Sequence, residues 1–153
     1  MKEFSLTVDS PRTPAAVRSA LLSPQSWEAR GALSAEADAG GLTAVLPLRA
    51  DQLPEAARRF AAGDASLRVR IDGDAEAAPA APLNLMLTVP GAPVEVRVAL
   101  TVRPGAEAEH SVLDAQAQVV SSVPLMGGMI ESALEPFVRQ HLAEQLHEIA
   151  HLG

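Results

Sequence analysis

The sequence predicts an α+β fold: a curved antiparallel sheet of about six to seven strands around a long C-terminal helix, with two short helices after the first strand. Three observations carry this prediction. Apolar and polar residues alternate through most of 67–119, the period of half-buried strands. Two cap-plus-proline pairs, Thr13-Pro14 and Ser23-Pro24, follow a first alternating segment. Past Pro124 the alternation gives way to apolar residues at helical spacing. The 153 residues suit one domain, read as 1–153, and folding at that size buries roughly 70% of the surface of the unfolded chain.

Taken in order, Phe4, Leu6 and Val8 alternate with polar neighbours in a strand that ends at the turn formers Asp9-Ser10-Pro11. Thr13 caps a helix that has Pro14 at its first position and Val17, Ala20 and Leu21 on its apolar face. Ser23-Pro24 repeats the signal for a second short helix, which carries Trp27 and ends at Gly31. Two weaker strands follow, joined as a hairpin at Gly40-Gly41. Leu33, Ala35 and Ala37 share one face of the first, and Leu42, Ala44 and Leu46 one face of the second. Pro54 to Ala62 breaks the β pattern with helix formers and Gly63 stands as a stop, so a short helix is expected between strands.

The later strands are the clearest. Leu67, Val69 and Ile71 alternate with polar residues, as do Leu83, Leu85, Leu87 and Val89. Val94, Val96, Val98, Leu100 and Val102 follow, then Leu113, Ala115, Ala117 and Val119. Pro90-Gly91-Ala92-Pro93 and Pro104-Gly105-Ala106 are the turns that make neighbouring strands antiparallel. Residues 75–82 form a low-complexity loop too short to separate domains. In the terminal helix, Val138, Leu142, Leu146 and Ile149 make the apolar stripe, and Pro136 is expected to bend it.

Composition excludes several functions. Nineteen acidic against twelve basic residues give a net charge of −7, a poor basis for neutralising phosphates, so no nucleic-acid partner is expected. The absence of cysteine removes disulfides, thiolate metal sites and thiol nucleophiles. The first residues carry no apolar leader and no stretch approaches the ~20 apolar residues of a membrane span, so stable membrane insertion is not expected and cytoplasmic residence is.

The order strand, two small helices, antiparallel strands and long terminal helix resembles the START-like or Bet v 1-like superfamily, also called SRPBCC, whose architecture is the helix-grip fold. Thr13-Pro14-Ala15-Ala16-Val17 and Leu21-Leu22-Ser23-Pro24 are similar to its opening segment. Leu53-Pro54 with Ala57-Arg58-Arg59-Phe60 and Gly63, and Val123-Pro124-Leu125-Met126-Gly127-Gly128, resemble an uncharacterised bacterial branch known as a domain of unknown function. The resemblance implies a cavity between sheet and C-terminal helix that in relatives holds lipids, polyketides or other apolar molecules. It also implies a lid role for the segment around Phe60. It implies no reaction.

Candidate chemistry is sparse. His147-Glu148-Ile149-Ala150-His151 is an H-E-x-x-H, which sets two imidazoles one helical turn apart as a zinc-dependent protease needs. Only Leu152 and Gly153 follow to supply a third ligand, and both histidines fall roughly opposite the apolar stripe, so they are read as solvent-facing. Histidines in a last turn also complement the helix dipole. No metal site and no cofactor are expected. The inward strand positions carry no titratable side chain, and Arg49, His110 and Asp114 are read as loop or outer-face residues. No catalytic residues are assigned, and the balance falls against an enzyme. Arg49, Arg58, Arg59, Arg68 and Arg70 are diluted by Asp51, Glu55 and Asp64 and are read as a solvated surface.

The aromatic content is only 3%, and Ala35, Ala37, Ala44, Ala115 and Ala117 are small inward residues, so interior volume is left over. An empty ~300 Å³ at about 24 cal/mol per Å³ would cost ~7 kcal/mol, so the cavity is small or an apolar molecule fills it. Inward collapse of Pro124, Met126, Met129, Ile130, Leu134 and Phe137 would close it instead, while Met86, Met126 and Met129 could line an adaptable pocket. The expected partner is an apolar small molecule held by Leu67, Val69, Leu85, Val96, Val98, Ala117, Ile130 and Leu134. A polyketide cyclase or dehydratase-like enzyme, or a protein or membrane interaction module, are the alternatives.

Overall fold

The alternating segments pair into one seven-stranded antiparallel sheet in the order β1-β7-β6-β5-β4-β3-β2. The computed structural model describes residues 1–48, 65–73, 78, 81–90 and 92–151. The helix expected over 54–62 lies outside the described residues, as does most of the loop 75–82. The elements run β1 (Lys2–Ser10), α1 (Pro14–Leu21), α2 (Pro24–Ala29), β2 (Ser34–Asp38), β3 (Gly41–Leu48), β4 (Ala65–Asp72), β5 (Leu83–Thr88), β6 (Val94–Pro104), β7 (Ser111–Ser121) and α3 (Gly127–Ala150). This is the helix-grip arrangement.

Strand parity decides which side chains are inside. Register sets Val69 opposite Leu87, Leu87 opposite Val96, and Val96 opposite Val119, so one apolar face continues across four strands. Leu42, Ile71, Leu83, Leu100, Leu113 and Val119 on that face are fully buried. β2 departs from expectation: only Ala35 packs against the core, Leu33 is 68% exposed and Ala37 faces solvent. As an edge strand it has a neighbour on one side alone, and its chain starts beyond the core.

The two predicted caps also part company. Thr13 Oγ1 accepts a bond from the Ala16 N–H at 3.1 Å and so satisfies a donor that the first turn cannot. Ser23 occupies the N-cap position of α2 but makes no side-chain cap; its hydroxyl turns to Gln25 at 3.1 Å. Pro24 still starts the helix, since its ring presets φ and it needs no partner for an N–H.

α3 continues through Pro136. Pro136 and Ser132 are both exposed, so the carbonyl that loses its helical partner is free to meet water. Both ends of the helix are tied to the sheet. At one end the buried Ser10 hydroxyl donates to the Ala150 carbonyl at 2.5 Å. At the other the buried Glu131 carboxylate accepts from the Met1 ammonium and, at 2.8 Å, from the Ser121 N–H. The ammonium first and the backbone N–H second hold the Glu131 carboxyl below the ordinary carboxylate range. Among the described residues no helix is long and apolar enough to cross a membrane.

Candidate functional site

The helix does not lie evenly on the sheet. Its backbone approaches β1 and β7 closely and stands off β3 to β6. The alanines of β7 explain the first half. Ala115 and Ala117 are buried beneath the helix side of the sheet, and short side chains there let α3 come close. The volume they release is therefore taken by the helix, and the unfilled space opens on the other wing, over β4 and β5.

There an apolar, partly open cavity of about 120 Å³ remains. Leu46, Leu48, Leu67, Val69, Leu85 and Val96 form its sheet side, and Leu134, Val138, Leu142, Leu146 and Ile149 its helix side. Leu21 and Trp27 close one end. Trp27 is held there because its indole N–H donates to the Leu21 carbonyl at 2.9 Å, which satisfies the one polar atom of a buried side chain. Partly exposed Leu87, Val89, Ala92, Val94 and Phe137 mark the mouth.

Among the residues expected to hold a ligand, Leu67, Val69, Leu85, Val96 and Leu134 meet at this cavity. Val98, Ala117 and Ile130 are buried elsewhere in the core, Val98 and Ala117 as cross-strand partners on the side that α3 fills. The methionines neither collapse inward nor line the wall. Met126 and Met129 are exposed, Leu125 beside them is fully exposed with φ +65°, and Met86 is partly exposed opposite Arg70 and Arg97.

Sequence reasoning missed the polar end of the cavity. His141 and Gln145, one helical turn apart on α3, both line the wall, so the helix brings an ionisable group to a cavity whose inward strand positions carry none. Phe137 stacks on the His141 ring with centroids 5.6 Å apart. Gln145 Oε1 accepts from Arg30 Nη1 at 2.6 Å, and the Arg30 side chain, 6% exposed, lies over the Trp27 ring at 4.2 Å. Burial pulls the Arg30 guanidinium below its ordinary range, while Glu148, 3.5 Å from Nη1, opposes this. Arg30 Nε and Nη2 are buried without a hydrogen-bond partner. A signal did exist: at 100° per residue Gln145 falls between Val138 and Leu134, a polar residue inside the apolar stripe.

The other candidates stay outside. His147 and His151 are exposed, with their rings tilted to one another at 34° and centroids 4.1 Å apart, and the described residues hold no cluster of three metal-ligating side chains. His110 pairs with Glu107 at 3.5 Å in the β6–β7 turn, and Asp114 accepts from Arg103 at 2.5 Å and Thr7 at 3.2 Å on the outer face. Arg70 is bound to Asp38 at 2.7 Å and Asp72 at 2.9 Å, and Arg68 is exposed. Arg49, Arg58, Arg59 and Phe60 lie outside the described residues.

Comparison with known proteins agrees on the fold. A START superfamily protein from Mycobacterium smegmatis superposes with a TM-score of 0.61 at 12% identity, covering 97% of this chain and 96% of its own. The di-domain ARO/CYC BexL from the BE-7585A biosynthetic pathway gives 0.62 at 16% identity, covering 97% of this chain and 46% of its own. A point mutant of Thalictrum norcoclaurine synthase, in complex with a transition-state analogue, gives 0.62 at 10% identity over 97% of this chain and 91% of its own. No curated protein matches the sequence. Residues 5–151 match the family described as protein of unknown function DUF2505, and the chain belongs to that family on a START-like, helix-grip fold.

Proposed function

We propose that the chain, acting as one unit over 1–153, binds a hydrophobic or lipid-like small molecule between sheet and C-terminal helix without transforming it. The observation that carries this reading is a cavity whose wall is almost wholly carbon. Leu67, Val69, Leu85, Val96 and Leu134 hold the ligand's apolar body, while Val98, Ala117 and Ile130 belong to the same hydrophobic core away from the cavity. Trp27 is the only tryptophan and the chain has no tyrosine, so its emission reports on the site directly. Titration with ethylbenzene should shift that emission saturably, and native mass spectrometry should detect a co-purified apolar compound. Failure of both ends the proposal.

His141 at the wall supports a second reading, a cyclase or dehydratase-like enzyme. Turnover of a polyketide-type substrate that His141→Phe abolishes without loss of binding would select it. The exposed Leu125, Met126 and Met129 favour a protein or membrane interaction module, which liposome flotation tests. The first reading extends to a bacterial cytoplasmic carrier; bacterial sources of similar structures support the first term, and cell fractionation tests the second.

A further inference from the structure

We infer that the cavity selects a ligand that ends its apolar body in a hydrogen-bond acceptor, a carbonyl or carboxyl oxygen, received by the Gln145 amide N–H and the His141 imidazole. This rests on the cavity-binding reading and specifies its ligand class. The orientation of Gln145 follows from its partner. A guanidinium has donors only, so the Gln145 atom 2.6 Å from Arg30 Nη1 is its oxygen. The amide NH₂ is thereby turned away from Arg30, and it makes no bond with the described residues.

Arg30 cannot swing aside cheaply, since its side chain is buried over Trp27. It therefore acts as a positioning residue that holds Gln145 as a donor rather than an acceptor. His141, one turn earlier and stacked on Phe137, stands on the same cavity wall. Among the described residues, everything else that lines the site is apolar apart from the Thr88 hydroxyl at the mouth. A polar oxygen on the ligand meets its pair of donors at Gln145 and His141, and a ligand without one leaves the Gln145 N–H uncompensated.

Size narrows the class further. A cavity of about 150 Å³ holds one benzene, so about 120 Å³ encloses roughly five non-hydrogen atoms and leaves the remainder of a longer ligand toward the mouth.

The test compares three soluble probes of similar shape on the full chain: ethylbenzene, acetophenone and benzoate. Trp27 emission gives affinity, and the Gln145 side-chain amide resonances give location. Acetophenone or benzoate should bind roughly three- to tenfold more tightly than ethylbenzene and shift the Gln145 NH₂ signals. Preference for acetophenone identifies a neutral carbonyl, and preference for benzoate a carboxylate. Gln145→Glu keeps an acceptor for Arg30 but removes the donor, so it should abolish the preference for an acceptor over ethylbenzene; Gln145→Met should do the same. Arg30→Met should reduce the preference and Arg30→Lys restore it. Equal affinity for all three probes, or a preference that survives both Gln145 variants, overturns this inference and leaves apolar binding standing. No binding of any probe overturns both.

Discussion

Val96→Phe measures whether the space beside β5 and β6 is real. Val96 is buried, lines the cavity and sits between Leu87 and Val119 in the sheet. At about 24 cal/mol per Å³, an empty volume of about 120 Å³ costs at most about 3 kcal/mol. The substitution adds four carbons where roughly five fit, so the gain has a ceiling of about 2 kcal/mol. For a domain of this length that corresponds to a rise in Tm of about 4–8 °C. Thermal and urea unfolding followed by circular dichroism give the stability, and Trp27 emission in the folded protein gives ethylbenzene affinity, which should fall at least tenfold. A loss of about 1–3 kcal/mol instead would be the signature of overpacking and would show that no such room exists. Increased stability with undiminished ethylbenzene binding would place the ligand elsewhere.

Leu146→Ala removes a fully buried contact between α3 and the core and should cost about 2–5 kcal/mol in urea unfolding; a loss below about 1 kcal/mol would mean that the helix is not docked as described. Thr13→Ala should cost about 1 kcal/mol through its lost cap, whereas Ser23→Ala, which removes no cap, should stay within about 0.5 kcal/mol. The Asp38 carboxyl is lowered from 3.8 to about 2, chiefly by its bonds to Arg70 and then by the Gly40 N–H. A group depressed in the folded state stabilises fully above its unfolded value and loses that contribution as pH falls through the folded one. Asp38→Asn should therefore flatten the acid limb of the stability profile between about pH 4 and pH 2. Glu131→Gln should act in the same direction, since Glu131 is also held low. Unchanged acid limbs in both variants would refute these assignments.

Much of the fold was legible because strands and helices announce themselves through local periods. The alternation of Val94 to Val102 and of Leu113 to Val119 fixes which side chains share a face whatever the strands pair with. Thr13-Pro14 is a local signal, and its cap forms as read; Ser23-Pro24 is the same signal, and the serine spends its hydroxyl on Gln25 instead. Ala37 is exposed rather than inward because an alternating pattern does not say whether its strand will be an edge.

The sequence by itself determined the class of fold, the inward face of each clear strand, the outward position of the H-E-x-x-H histidines and the carbon-rich interior. Tertiary structure decided where the interior stays open. Alanines on β7 predict unfilled volume by their size, yet they draw the helix in, and the cavity lies instead where α3 stands off β4 and β5. Structure alone also brought Arg30 from the end of α2 against Gln145 on α3, 115 residues away in the chain. Periodicity reports on neighbours a few residues apart, whereas the fit of a helix over a curved sheet and the orientation of one buried amide depend on groups that meet only after the chain has folded.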